Sequence, residues 1–86
     1  PEYITKDFIK RKIELESNGN ANAISPKGAR GLLQLTSGAW SQVDNSNFND
    51  YWSNPQKNLD VGIKYDLWLD RYFRNNHPDW GGKSFR

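Results

Sequence analysis

The chain has 86 residues, enough for one small domain near the lower end of the sizes that fold unaided. It has no cysteine, which excludes disulfide staples and thiolate metal sites, and 12 basic against 10 acidic residues leave a net charge of +2. A mean hydropathy of -0.96 would suit disorder, but four each of Trp, Tyr and Phe can bury enough area for a small core.

No run is apolar enough for a membrane span or a signal-peptide core. Basic and acidic residues alternate, and the one basic run, Lys10-Arg11-Lys12, reads as a solvated helix face. A nucleic-acid arm would carry more charge, so nucleic acid is not an expected partner. Mild basicity would suit an anionic polymer.

Thr5 is a natural helix cap, with Asp7 in the first turn where the helix dipole favours it. Ile9, Ile13 and Glu16 stand at i, i+4 and i+7 on one face, flanked by Phe8 and Leu15, and the helix should end near Ser17 to Gly19. Residues 18–27, NGNANAISPK, have no period and read as consecutive turns. Gly28 and Gly31 bracket Ala29-Arg30 and suggest positive φ or close backbone approach. Leu32, Leu33 and Leu35 are core candidates. Thr36 or Ser37 can cap a short helix over 38–43, with Trp40 and Val43 facing inward.

Residues 44–54, DNSNFNDYWSN, read as a surface loop carrying Phe48, Tyr51 and Trp52. Asn54-Pro55 then opens the longest predicted helix, to about residue 75, with asparagine as cap and proline at the first position. Asn58, Gly62, Tyr65, Leu69 and Tyr72 form one stripe along it, and Leu59, Ile63 and Leu67 a second. Asp60 with Lys64 and Asp70 with Arg74 have the spacing of exposed ion pairs. Gly62 inside a helix suggests that another backbone comes close. His77-Pro78 should break the helix, and 79–86 show no pattern.

Glu16 is the first candidate for chemistry. Partial burial and the negative end of the helix dipole would both disfavour its charged form, the condition for protonating a poor leaving group. On residue physics alone, a glutamate at a frayed helix end is the commoner reading. His77 is the only histidine, so no triad and no histidine zinc cluster can be built. Asp44, Asp50 and Asp60 could supply a second carboxylate but read as solvated caps and ion-pair partners. The tryptophans are mainly core, with Trp40 or Trp52 alternatively stacking on a sugar.

Glu16-Ser17, Ser25, Gly28-Ala29 and Gly31-Leu32-Leu33-Gln34 together resemble the signature of the soluble lytic transglycosylase (SLT) family, lysozyme-like enzymes that cleave peptidoglycan. Asn58-Leu59 with Gly62 and Tyr65 resembles that family's second motif. Thr36-Ser37 stand where the family often has methionine-proline. The third motif, alanine-tyrosine-asparagine followed by glycine, does not occur before Arg86. The expectation is therefore a mainly α, lysozyme-like single lobe over residues 1–86, its C-terminal part missing and its acid-bearing helix packed on the Pro55 helix.

The resemblance implies that Glu16 is catalytic, acting as acid and then base with help from the substrate's own N-acetyl group. It implies that Ser25, Gln34, Leu33 and Tyr65 meet the substrate, while Ser17, Gly28, Gly31, Asn58 and Gly62 are structural. Peptidoglycan strands would be the partner of a monomer needing neither metal nor cofactor. The setting would be periplasmic, cell-envelope associated or secreted, in a bacterium or phage. A hydrolytic lysozyme on the same scaffold and a peptidoglycan-binding module without turnover are the alternatives.

Overall fold

Among the described residues, four helices arise where the caps stand. The computed structural model describes residues 3–76, so His77-Pro78 and the tail lie outside the described residues. Helix α1, Lys6–Ser17, starts where the Phe8 N–H donates to Thr5 Oγ1 at 3.1 Å. It stops at Asn18, whose left-handed backbone (φ 52°) lets its N–H close on Glu14 O. Helix α2, Ser37–Val43, is capped by Thr36. Helix α4, Pro55–Asn76, is capped by Asn54 Oδ1, which accepts from the Lys57 N–H at 2.9 Å.

The segment expected to be plain loop contains a further helical turn, α3, Phe48–Tyr51. Asn47 is the reason: its side chain accepts from the Asn49 N–H and starts the turn. Phe48 is thereby carried edge-on against Trp40, with ring centroids 5.5 Å apart.

Leu35, Trp40 and Val61 form the buried centre, with Val43, Phe48, Trp52 and Tyr65 packed around them. Helix α2 lies on α4, as its inward Trp40 requires. Between α1 and α2 the chain folds back on itself through antiparallel bridges of Ile24 with Arg30 and of Arg30 with Leu35. The result is the mainly helical single lobe expected.

Helix α1 departs from expectation. None of its residues is fully buried, Glu16 is exposed, and Leu15 is 79% exposed. The face of α4 that was to receive α1 borders an open cavity of about 270 Å³, and the Lys12–Asp66 ion pair at 3.0 Å joins the two helices beside it. The i, i+4 spacing correctly put Ile9 and Ile13 on the half-covered side, but no neighbour covers Glu16.

The charge pairs also differ. Lys64 bonds Asp44 at 2.7 Å in place of Asp60, which instead accepts from Gln56. A carboxylate shielded from water is a stronger acceptor than an exposed one. Asp70 does pair with Arg74 at 3.0 Å, yet its residue is buried rather than on the wet side. Asp44 is no solvated cap: its side chain is 7% exposed and meets Lys64, Lys57 and Ser46. The Ser46 carbonyl in turn accepts from the Trp40 indole N–H at 3.1 Å, so this cluster fixes the core tryptophan.

The hydrogen bond from Lys64, then that from Ser46, holds the Asp44 carboxyl far below its ordinary 3.8, outweighing the opposing effect of burial. A folded-state value below the unfolded one gives stability that is present above the ordinary value and shrinks as pH falls through and below it. Asp44→Asn should therefore cost about 1–2 kcal/mol at pH 7. In urea titrations the gap to the parent should narrow steadily from pH 5 to pH 2. A gap that stays constant would contradict this assignment.

Candidate active site

The site is built around a wall, and the wall around one amide. Asn58, fully buried in the first turns of α4, accepts from the Leu33 N–H through Oδ1 at 2.9 Å. Its Nδ2 donates to Trp52 O at 2.9 Å and to Arg30 O at 3.2 Å. A loop this deep needs its backbone groups satisfied, and Asn58 supplies three partners at once. Gly31 lies against it with φ 83°, where a Cβ would overlap both the Asn58 amide and the Trp52 carbonyl. Only glycine fits there.

Gly62 has the same use one helical turn later, but what approaches it is a side chain and not the expected backbone. Leu33 lies directly on it, in the space a Cβ would take. Leu33 is thus buried between α4 and the cleft floor.

Gln34 follows with a left-handed backbone (φ 53°), costly for a residue with a Cβ. Its own amide stabilises the kink: Nε2 donates to Gly31 O at 2.9 Å and to Ala23 O at 3.1 Å. Both of these bonds use the amide nitrogen and not Oε1. Ser25 shapes the preceding turn. Its Oγ accepts from the Ala29 N–H at 3.0 Å. Gly28 supplies φ 88° in that turn, with open space around it.

Glu16, in the last turn of α1, faces this wall. It borders the 270 Å³ cavity together with Leu33, Gln34, Gly62 and Tyr65. It also borders a second, more open cavity of about 540 Å³ with Ser25 and Gln34. Glu16 and Gln34 therefore border both cavities, with Leu33 and Tyr65 on the first and Ser25 on the second. Ser17 is not among them: its hydroxyl donates back to Ile13 O at 3.1 Å. Asn58 and Gly31 stand behind the wall. Trp40 is core, and Trp52 is half-buried with the Arg30 guanidinium 5.3 Å from its ring centroid.

Sequence reasoning missed several lining residues, Thr36, Lys12 and Asp66 among them. Thr36 borders both cavities as well as capping α2, and Lys12 and Asp66 form their ion pair at the cleft's edge. Lys12 was assigned to a solvated run, although it lies four residues before Glu16 and so on the same face. Asp66 stands four residues after Gly62, and an acid on that buried stripe was a readable signal. Among the described residues, no group of three or more His, Cys, Asp or Glu could hold a metal ion.

The small helical lobe thus sets one carboxylate, Glu16, opposite a glycine-built wall. The family model for the transglycosylase SLT domain matches residues 2–80, and the chain belongs to that family. Membership carries a transglycosylase-type function directed at peptidoglycan, outside the cytoplasm. No solved structure matches the chain. Among the described residues, no helix is long and apolar enough to cross a membrane.

Asn58→Ala would leave the Leu33 N–H and the Trp52 carbonyl unpaired in the interior, while Arg30 O keeps its bond from the Leu35 N–H. It should lower unfolding stability by about 2–4 kcal/mol in urea titration, from the penalty for these buried unsatisfied groups. That is a large fraction of what a domain this small can hold. A loss under 1 kcal/mol would mean that the amide does not organise the wall.

Proposed function

We propose that this domain is a lytic transglycosylase that cleaves the β-1,4 bond between N-acetylmuramic acid and N-acetylglucosamine, with Glu16 as its single acid–base group. The observation that carries the reading is that Glu16 and Gln34 border two cavities, one reaching Tyr65 and the other Ser25, in a chain of this family.

Glu16 in its carboxylic-acid form donates its proton to the glycosidic oxygen as the bond from that oxygen to muramic C1 breaks. The substrate's N-acetyl carbonyl oxygen closes on C1 and takes up the developing positive charge. Glu16, now a carboxylate, accepts the proton of the muramic C6 hydroxyl. The C6 oxygen bonds to C1, the acetamido group is released, and a 1,6-anhydro ring is the product. No water is consumed, and Glu16 ends protonated as it began.

The need for substrate assistance follows from the carboxylates at hand. Among the described residues lining these cavities, the other acid is Asp66, and both its oxygens accept from Lys12. A carboxylate so engaged is a poor nucleophile, so the substrate's own acetamide fills that place. Ser25 Oγ would hold the acetamido group and Gln34 Oε1 a sugar hydroxyl, with Leu33 as floor and Tyr65 as a side wall. Residues 1–86 would act as one catalytic lobe and as a monomer, on wall material in the periplasm or secreted space.

Digestion of purified sacculi by the full-length protein, followed by mass analysis of released muropeptides, tests this. The parent should give anhydro-terminated products, and Glu16→Gln should reduce the rate about 10²–10⁴-fold, the range for a lost general acid–base. Reducing-end products would instead identify a hydrolytic lysozyme. Binding without release, or full activity in Glu16→Gln, would reject the assignment.

A further inference from the structure

The same cleft is edged by cations that the reaction above does not employ. Lys12 borders the 270 Å³ cavity, Arg11 joins it on a neighbouring cavity of about 400 Å³, and Lys27 borders the cavity that holds Ser25. All three cavities include Glu16. Arg11 and Lys27 are exposed, so their charges act mainly by attracting a polyanion from a distance.

Lys12 is different. Its ammonium donates to Asp66 Oδ1 at 3.0 Å and to Oδ2 at 3.1 Å, with side-chain exposures of 23% and 6% for the two residues. The lysine end of this pair is thus fixed in direction, one helical turn from Glu16. An ammonium has three donors, so Lys12 keeps capacity for an oxygen on the cleft side. Stability gives little reason for the arrangement, because apolar side chains of like volume are usually as stable as a largely buried ion pair.

We propose that Lys12, positioned by Asp66, is a specificity-determining residue that selects glycan strands bearing a carboxylate beside the scissile sugar. Its substrate class rests on the glycan-cleaving reading given above. With Glu16 protonated, as the first step requires, Arg11, Lys12 and Lys27 face the substrate against Asp66 alone. A carboxylate at that point gains a charge-assisted hydrogen bond from a donor already oriented, at little further entropic cost. It has two sources in peptidoglycan: the lactyl group of a muramic residue without its stem peptide, or the carboxyl groups of the stem itself.

The test measures Kd by tryptophan fluorescence in the full-length protein carrying Glu16→Gln, so that strands are not consumed. The ligands are stem-free muramic oligosaccharides and stem-bearing ones, each with free and with methylamidated carboxyl groups. The acid should bind about tenfold more tightly than its amide, the scale of one charge-assisted hydrogen bond near a surface. Lys12→Arg should keep the preference and Lys12→Met should abolish it. Lys12→Met/Asp66→Leu should also abolish it while holding or raising Tm, which a purely structural pair would not do.

A preference seen in stem-free strands identifies the lactyl group as the source, and one confined to stem-bearing strands identifies the peptide. Equal Kd values for acid and amide in the parent, or a preference that survives Lys12→Met, overturn the proposal. Absence of muropeptide release by the unsubstituted protein would reject the catalytic reading alone, since these affinities are measured without turnover. Failure to bind any strand rejects both.

Discussion

One side-chain amide holds the interior face of the cleft together. Asn58 offers an acceptor to Leu33 and donors to Trp52 and Arg30, tying the start of α4 to two separate stretches of loop. Those loops have little regular structure, only isolated bridges around Arg30. Without a buried polar partner, their backbone groups would face an apolar interior unpaired, at a cost no aliphatic side chain can offset. Gly31 and Gly62 then follow as necessities. The first must vacate the space the amide fills, and the second must admit the Leu33 side chain that the amide has fixed by its backbone.

The cleft's two sides consequently differ in firmness. The wall that carries Leu33 and Gln34 is bonded, kinked and buried, and it rests on Val61 and Trp40. The side that carries Glu16 is an amphipathic helix with no fully buried residue, joined to α4 through Lys12 and Asp66. Local stability tracks buried contacts, so opening α1 costs less than opening the wall. In the proposed function, an acid on the softer side and sugar-binding groups on the firmer one would let the substrate be registered first and approached second.

Much of the fold was legible because its signals are local. Thr5, Thr36 and Asn54 marked helix starts that the backbone N–H groups do use, and Pro55 marked a first helical position. The stripe Asn58–Gly62–Tyr65 was readable as one face, and the family motifs placed Glu16, Ser25 and Gln34 in a common frame. What was not legible depended on partners distant in sequence. The burial of Glu16 was inferred from its own helix, whereas exposure is decided by what lies opposite, and there the structure has a cavity. Lys64 chose Asp44 over Asp60 because shielding at a site 20 residues away outweighs proximity on one helix. Asn47 started a helical turn in a segment whose composition reads as loop, since a single cap within a run of asparagines is hard to distinguish from its neighbours.

The exposure of Glu16 changes where its chemistry must come from. An acid that is enclosed by its own fold is prepared before substrate arrives. Here Glu16 is exposed and borders open cavities, so water has access to it in the empty protein. Exclusion of that water has to be the work of the strand itself, whose sugar faces would close against Leu33 and Tyr65. The transglycosylation proposed for this domain would ask for this arrangement more strongly than ordinary hydrolysis does. Its second step succeeds only if the muramic C6 hydroxyl reaches C1 before a water molecule, and a dry contact formed by the substrate is what favours the intramolecular attack. The bonded wall supplies the fixed surface for that contact, and the lightly held α1 supplies the acid that can close on it.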